Sequence, residues 1–309
     1  MAIMIYSEKN GLALEMLTAA RLIAANIGTD INALCINNDI QAEELAAAGV
    51  RTYSIMNNAI NLADTASVAG ALQNAAGQLD ASIVLLASNR RGKELAGRLA
   101  QKLDAGCLTD VNGLQVINGK VQCTRNTLGG ATIATQQIDS GRQVIALAPR
   151  SFAAAALQER GIVQELGIES GPSPIKLIAS RNKAGDVVDI EAADILVIVG
   201  QGMEKADVVL AEGIASKLGG ELACSKPVAT DKKWLGEDRI VGLSGKKCKP
   251  QLAIILGVSG QVQFTVGIRD AHTIVAINND ENAYILQMAD YAMVADLKEI
   301  LPELNEVLR

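Results

Sequence analysis

Two α/β domains, each built on a parallel sheet, are what three features of the sequence predict. The chain has 309 residues, and at about 150 residues per domain this length suggests two domains, each able to bury a core. Short, uniformly apolar runs such as AIMIY (2–6), ASIVLLA (81–87) and DILVIVG (194–200) alternate with segments of helical spacing. That alternation belongs to parallel sheets covered by helices on both faces. It lapses before GPSP (171–174) and then restarts, which divides the chain into 1–180 and 181–309.

In the first half, AIMIY precedes Asn10–Ile27, where Leu14, Leu17, Ala20, Leu22 and Ile23 form an apolar stripe. INALCI (31–36) reads as the next strand and Asp39–Ala48 as a helix stopped by Gly49. A strand at Thr52–Ile55, a helix over Leu62–Gln78 and the strand ASIVLLA continue the series. Past Ala105 the grammar changes. LQVINGKVQCTR (114–125) predicts two strands joined at Asn118-Gly119, and ATIATQQI (131–138) and RQVIALA (142–148) are expected as antiparallel strands extending the same sheet.

In the second half, DILVIVG is followed by a helix over Glu204–Leu218, closed by Gly219-Gly220. ELACS (221–225), QLAIILG (251–257) and TIVAIN (273–278) are strands, with a helix expected from about Ser259 and a last one from about Leu297.

Composition narrows the function. With 28 Lys+Arg against 34 Asp+Glu the net charge is −6, and aromatics are only 2%, so neither a basic footprint nor stacking platforms exist for nucleic acid. The single histidine, His272, excludes His-rich metal sites, and the five scattered cysteines contain no CxxC. No metal ligand set and no catalytic acid–base group is expected. No apolar run approaches the ~20 residues of a membrane span, and no leader is expected at Met1–Lys9. An odd number of thiols then points to a cytoplasmic protein.

Ligands of open parallel sheets sit beyond the carboxyl ends of strands, with phosphates at helix starts. The second half offers four such ends rich in small or polar residues: Gly200-Gln201-Gly202, Cys224-Ser225-Lys226-Pro227, Gly257-Val258-Ser259-Gly260 and Asn278-Asn279-Asp280. Any one of them is explained by a tight strand-to-helix turn; four in one domain point to a nucleotide site. Gly257-Val258-Ser259-Gly260-Gln261 departs from a nucleophile elbow at Gln261, and Gly200-x-Gly202 lacks the third glycine of G-x-G-x-x-G, Lys205 standing there. Asn89-Arg90-Arg91-Gly92-Lys93 puts three cations at a helix start, against the dipole preference. Two readings stay open for it: a solvated charge run, or a contact for an anion or a partner.

The four loops, in this order, resemble those of electron-transfer flavoprotein alpha subunits of the subgroup associated with anaerobic and acyl-CoA metabolism. The resemblance spans essentially the whole chain and is densest in GVSGQVQFTVGIRDAHTIVAINNDENAYILQMADYAMVADLKEILPEL (257–304), with NRRGKELAGRLAQKLDAGCLTDV (89–111) similar in the first half. It implies that 1–180 docks the electron-transfer flavoprotein beta subunit and that 181–309 is a Rossmann-like domain carrying FAD. It further implies a flavin dehydrogenase, such as an acyl-CoA dehydrogenase, as the redox partner. By position, Ser225 and Lys226 would lie near the flavin, with the Leu243-Ser244-Gly245 loop following and Phe264 at the family's flavin-facing position, and Gln201 would be a further cofactor contact. Gly257, Val258, Ser259, Gly260, Gln261 and Gln263 would follow the pyrophosphate and ribityl chain, and Asn278, Asp296 and Leu297 the adenosine end. The chain departs from the family pattern at Gln201 and Lys226, where arginines are usual, at Leu243-Ser244, where the family has Gln-Thr, and at Phe264, which replaces a histidine. An alternative from another class is a nucleotide-binding regulatory or structural module without redox function.

Overall fold

Strand β1 (Ala2–Tyr6) is buried throughout, and its side chains feed two separate cores. Ile3 and Ile5 join Met16, Leu17 and Ile23 of helix α1 (Asn10–Ile27), while Met4 and Tyr6 face Leu72 of α3 (Thr65–Gln78) and Leu99 of α4 (Arg90–Leu103). Period-two burial on both faces is why this run carries no polar residue. In the computed structural model, which describes residues 1–130, 132–171, 173–179 and 188–308, the chain divides into two compact units, Met1–Ser180 and Arg181–Arg309. Pro172 of the GPSP segment, the first residue of the expected strand 131–138, and residues 180–187 lie outside the described residues.

The first unit holds a nine-stranded mixed sheet. From one edge the order is β7 (Thr132–Gln137), β6 (Lys120–Thr127), β5 (Gly106–Ile117), β8 (Gln143–Leu147), β4 (Ala81–Ala87) and β1. Beyond β1 come β2 (Asp30–Ile36), β3 (Arg51–Ile55) and β9 (Val163–Glu165). Helix α2 (Asp39–Ala47) packs with α1 on one face. The expected Asn118-Gly119 hairpin is present, both residues at positive φ, +52° and +74°. The expectation for 142–148 needs correcting: β8 is parallel, and it inserts between β4 and β5 instead of extending the edge. Its run Val144–Leu147 is wholly buried, as an interior parallel strand requires, whereas β7 keeps only half-exposed and exposed positions and stays at the rim. Helix α3 starts three residues later than expected because Asp64 caps it, accepting from Ala66 N at 2.9 Å.

The cation run at the start of α4 is absorbed locally. Asn89 Oδ1 caps the helix by accepting from Gly92 N at 2.7 Å, Arg91 pairs with Glu8 at 2.9 Å and Lys93 with Asp110 at 2.7 Å.

The second unit is a five-stranded sheet, all parallel, in the order β11 (Glu221–Cys224), β10 (Ile195–Val199), β12 (Leu252–Leu256), β13 (Thr273–Asn278), β14 (Tyr291–Val294). Val197, Val199, Ile254 and Leu256 pack under α5 (Val208–Lys217) and α9 (Leu297–Val307); Leu196, Ile198 and Ile255 pack under Phe264, Ile268 and Ile285. Alternate faces of β10 and β12 are therefore both covered, whereas edge strand β14 is exposed. The helix expected from Ser259 is a single turn, α7 (Val262–Thr265). The expected Glu204–Leu218 helix is a 3₁₀ turn over Lys205–Asp207 leading into α5. Two short helices, α6 (Lys226–Thr230) and α8 (Tyr284–Met288), and edge strand β14 were not foreseen. Among the described residues no helix is long and apolar enough to cross a membrane.

All five cysteines are free, and Cys35, Cys123, Cys224 and Cys248 are buried. Burial pushes the thiols of Cys35 and Cys224 up to about 12 and that of Cys123 up to about 11. Cys107 is exposed, although desolvation of its sulfur still raises its pKa against the opposing charge of Arg125. An aromatic disulfide reagent at pH 8 is therefore expected to titrate one thiol of the native chain, Cys107, and the other four only after denaturant is added. A second fast thiol would contradict this packing.

Candidate functional site

In the second unit the loops leaving β10, β11 and β12 converge at the carboxyl edge of the sheet around a cavity of about 300 Å³. Gln201 enters from the first loop, and Ser225, Lys226 and Pro227 from the second. Val258, Ser259 and Gln261 come from the third, Gln263 and Phe264 from α7. The remaining wall is Val241, Gly242 and Ser244.

Each loop is fixed by its backbone. Gly200 N donates to Leu256 O at 2.8 Å and Gly202 N to Gly257 O at 3.0 Å, so the loops after β10 and β12 touch directly. Ser225 N continues the ladder to Val199 O at 3.0 Å, and the Ser225 side chain, buried at the cavity wall, makes no capping bond to α6. The Val241–Gly245 segment is hooked to α7 through Leu243 N and Gln263 O at 2.7 Å. Gly242, at φ +138°, has no room for a Cβ, which would lie 2.6 Å from that same carbonyl.

Several sequence-predicted residues support the cavity without lining it. Asn278 is buried, donating from Nδ2 to Val258 O at 2.8 Å and accepting from Asp280 N at 3.0 Å. Asp296 caps α9, accepting from Lys298 N at 2.9 Å. Leu297 is buried beneath Gly257, where a Cβ would stand 3.0 Å from its Cδ1. Gly260, at φ +85°, passes so close to Ile285 N that any Cβ would strike it, and Gly245 is equally tight against Ile240 O. Leu243 is exposed, its backbone alone serving the site. Val241 and Gly242 line the cavity and were missed, and Pro227, the last residue of the Cys224–Pro227 strand end, lines it too. For Gly242 the signal was a glycine immediately ahead of a Leu-Ser-Gly turn.

Charge sets the chemistry. Among the described residues lining the cavity only Lys226 is charged, and no carboxylate faces it. The N–H groups of Ser259, Gly260 and Gln261 donate to no acceptor among the described residues. Consecutive free amides in a loop with positive-φ glycines, Gly257 and Gly260, are a donor set that could hold an anion. The single turn of α7 contributes little dipole, so an anion here would depend mainly on the loop amides and Lys226. Val241, Val258 and Phe264 supply an apolar wall. His272 is exposed beside Thr273, at the amino end of β13 and so on the opposite edge of the sheet, which leaves Ser259 without a base. Among the described residues no group of His, Cys, Asp and Glu could hold a metal ion.

The first unit differs. At the carboxyl ends of β1 and β4 the space between Ser7, Glu8, Asn89 and Arg91 is only about 20 Å³, room for one water. Burial raises the Glu8 carboxyl pKa, and Arg91 opposes that rise.

Fold and site together define a Rossmann-like dinucleotide-binding domain joined to a second doubly wound α/β unit. Residues 7–171 match the electron transfer flavoprotein domain, and residues 189–269 the electron transfer flavoprotein FAD-binding domain. Protein FixB of Escherichia coli (strain K12) is 32% identical over 308 residues, covering 98% of this chain and 97% of that one. Protein FixB of Escherichia coli O1:K1 / APEC is 36% identical over 229 residues, 73% of each chain. The chain belongs to the electron-transfer flavoprotein family, as an alpha subunit.

FAD is the cofactor of the matched domain, and the donor set suits it: free amides and one ammonium for a diphosphate, and apolar surface for a ring. Gly260→Ala tests the loop. Forcing a Cβ into the left-handed region costs about 1–2 kcal/mol, and here Ile285 must also move. FAD affinity is expected to fall at least tenfold in an equilibrium titration, while the thiol pattern of the first unit stays native. Unchanged affinity would mean that this loop does not hold the diphosphate.

Proposed function

We propose that this chain carries FAD in the second unit and passes electrons between a flavin dehydrogenase, such as an acyl-CoA dehydrogenase, and an acceptor. It acts as the alpha partner of a heterodimer with an electron-transfer flavoprotein beta subunit. The observation that carries this reading is the cavity walled by residues of β10–β12 loops, cationic at Lys226 and free of carboxylates. Bound FAD supplies the one- and two-electron chemistry, and the protein holds it, shields it and sets its potential.

In this reading the Lys226 ammonium and the amides of Ser259–Gln261 hold negative charge. Gln201, Ser244 and Gln263 offer neutral polar groups to the polar rim of the flavin and to the ribityl chain. Asn278 and Asp296 shape the adenosine end by fixing the Val258 carbonyl and the start of α9. Phe264, 7% exposed and packed on the core, presents an apolar wall. The first unit, with Arg91 and Lys93 paired internally, serves as the scaffold that docks the beta subunit, over an interface of ~2,000 Å² or more as obligate partners need. The assembly works in the cytoplasm, a compartment that keeps free thiols reduced.

Co-expressed with its beta subunit, the chain is expected to purify yellow, with flavin absorption lost on denaturation and recovered with added FAD. A colourless complex that takes up AMP or ATP but no FAD would contradict the proposal and favour a nucleotide-sensing module. Phe264→His tests the wall. An imidazolium at ~4–6 Å stabilises the negative charge gained on reduction, and if about 1.4–3 kcal/mol survives screening, the one-electron potential rises by about 60–130 mV. Spectroelectrochemical titration at a pH where the imidazole is protonated should show that rise. No change would mean that position 264 does not face the flavin.

A further inference from the structure

Lys232 lies outside the cavity lining, yet it is tied to it. After α6 the chain turns sharply: Lys232 N donates to Pro227 O at 3.0 Å, Lys233 takes φ +54°, and Trp234 N donates to Val228 O at 3.1 Å. This brings the Lys232 ammonium 4.2 Å from the centroid of the Trp234 ring, which itself packs against the core under α5 and α9. From that seat Nζ donates to the carbonyl of Gln201 at 2.8 Å and reaches that of Met203 at 3.4 Å. A cation on an aromatic face loses little by also meeting two carbonyls, and each contact restricts the same flexible stem. The loop after β10 is otherwise held by Gly200 N and Gly202 N, by Met203 N donating to Gly200 O at 3.3 Å and by the buried Met203 side chain, none of which fixes the Gln201 carbonyl among the described residues.

We propose that Lys232 is a positioning residue of the flavin site: seated on Trp234, its ammonium clamps the Gly200–Met203 loop so that Gln201 is presented to FAD. The inference rests on the FAD reading above and adds a residue that the cavity wall alone does not reveal. Lys232 acts through Gln201, so its removal and the removal of the Gln201 side chain share one effect.

The test is FAD affinity of the apo heterodimer, measured for four forms: wild type, Lys232→Met, Gln201→Ala and the double variant. Lys232→Met keeps the stem and removes the charge; it is expected to weaken FAD about tenfold, the size of one lost charge-assisted hydrogen bond. Gln201→Ala should weaken it similarly, and the double variant should bind no worse than Gln201→Ala alone. Lys232→Arg, able to seat on the ring and donate to carbonyls, should restore affinity to within about threefold of wild type. Wild-type affinity in Lys232→Met, or effects of the two substitutions that simply add, would overturn the proposal. If Lys232→Met does not assemble, Lys232→Gln replaces it in the same cycle with the same criteria. A wild-type heterodimer that takes up no FAD would instead defeat the functional reading on which this one stands.

Discussion

Backbone touching backbone at the ends of β10 and β12 is the constraint on which the second unit depends. A Cβ on Gly200 would collide with the carbonyl of Gly257, and Gly257 itself turns at φ +64° above Leu297. Only glycines permit that approach. Because the two loops meet directly, Gln201 on one and Val258 and Ser259 on the other line one cavity. The buried Asn278 amide then fixes the Val258 carbonyl from the β13 side, so the site inherits its geometry from three adjacent strands.

The two units use one topology differently, and the difference is electrostatic. At the edge of the first sheet Arg91 and Lys93 at the start of α4 meet acids, Glu8 and Asp110, and the space beside Glu8 and Arg91 is only about 20 Å³. At the edge of the second sheet Lys226 has no facing carboxylate and three loop amides have no protein acceptor among the described residues. Uncompensated donors beside an apolar wall are unfavourable unless water or an anion meets them. The same crossover architecture thus pairs Arg91 and Lys93 with acids at one sheet edge and leaves donors without protein acceptors at the other.

Much of this was legible in the sequence, and the exceptions have physical causes. The bounds of β1, α1, β4, β13 and the start of α9 followed from uniform apolar runs and helical stripes. The position of β8 did not, because strand order depends on which runs are buried on both faces, a tertiary property that its short Val144–Leu147 run only hints at. Helix α7 was overestimated because the apolar residues after Gln261 mark burial of Phe264 against the sheet and not a long helix. The loops after β10 and β12 are legible from their glycines, that after β11 from its small and polar residues, and Leu243-Ser244-Gly245 only from the family resemblance. Val241 is not, since an apolar wall residue looks like any core residue until the fold brings it to the cavity. Asn278 was rightly singled out as a polar strand end, but its amide is committed to Val258 and Asp280.

The central claim is that the free amides of Ser259, Gly260 and Gln261 meet the cofactor. Amide chemical shifts of the ¹⁵N-labelled heterodimer, followed through a stoichiometric FAD titration, test it most directly. The account predicts that these three resonances move among the most and that amides at the β1–β4 edge of the first unit, such as Ser7 and Arg91, do not. Shifts concentrated at the β1–β4 edge, with Ser259–Gln261 unmoved, would contradict it.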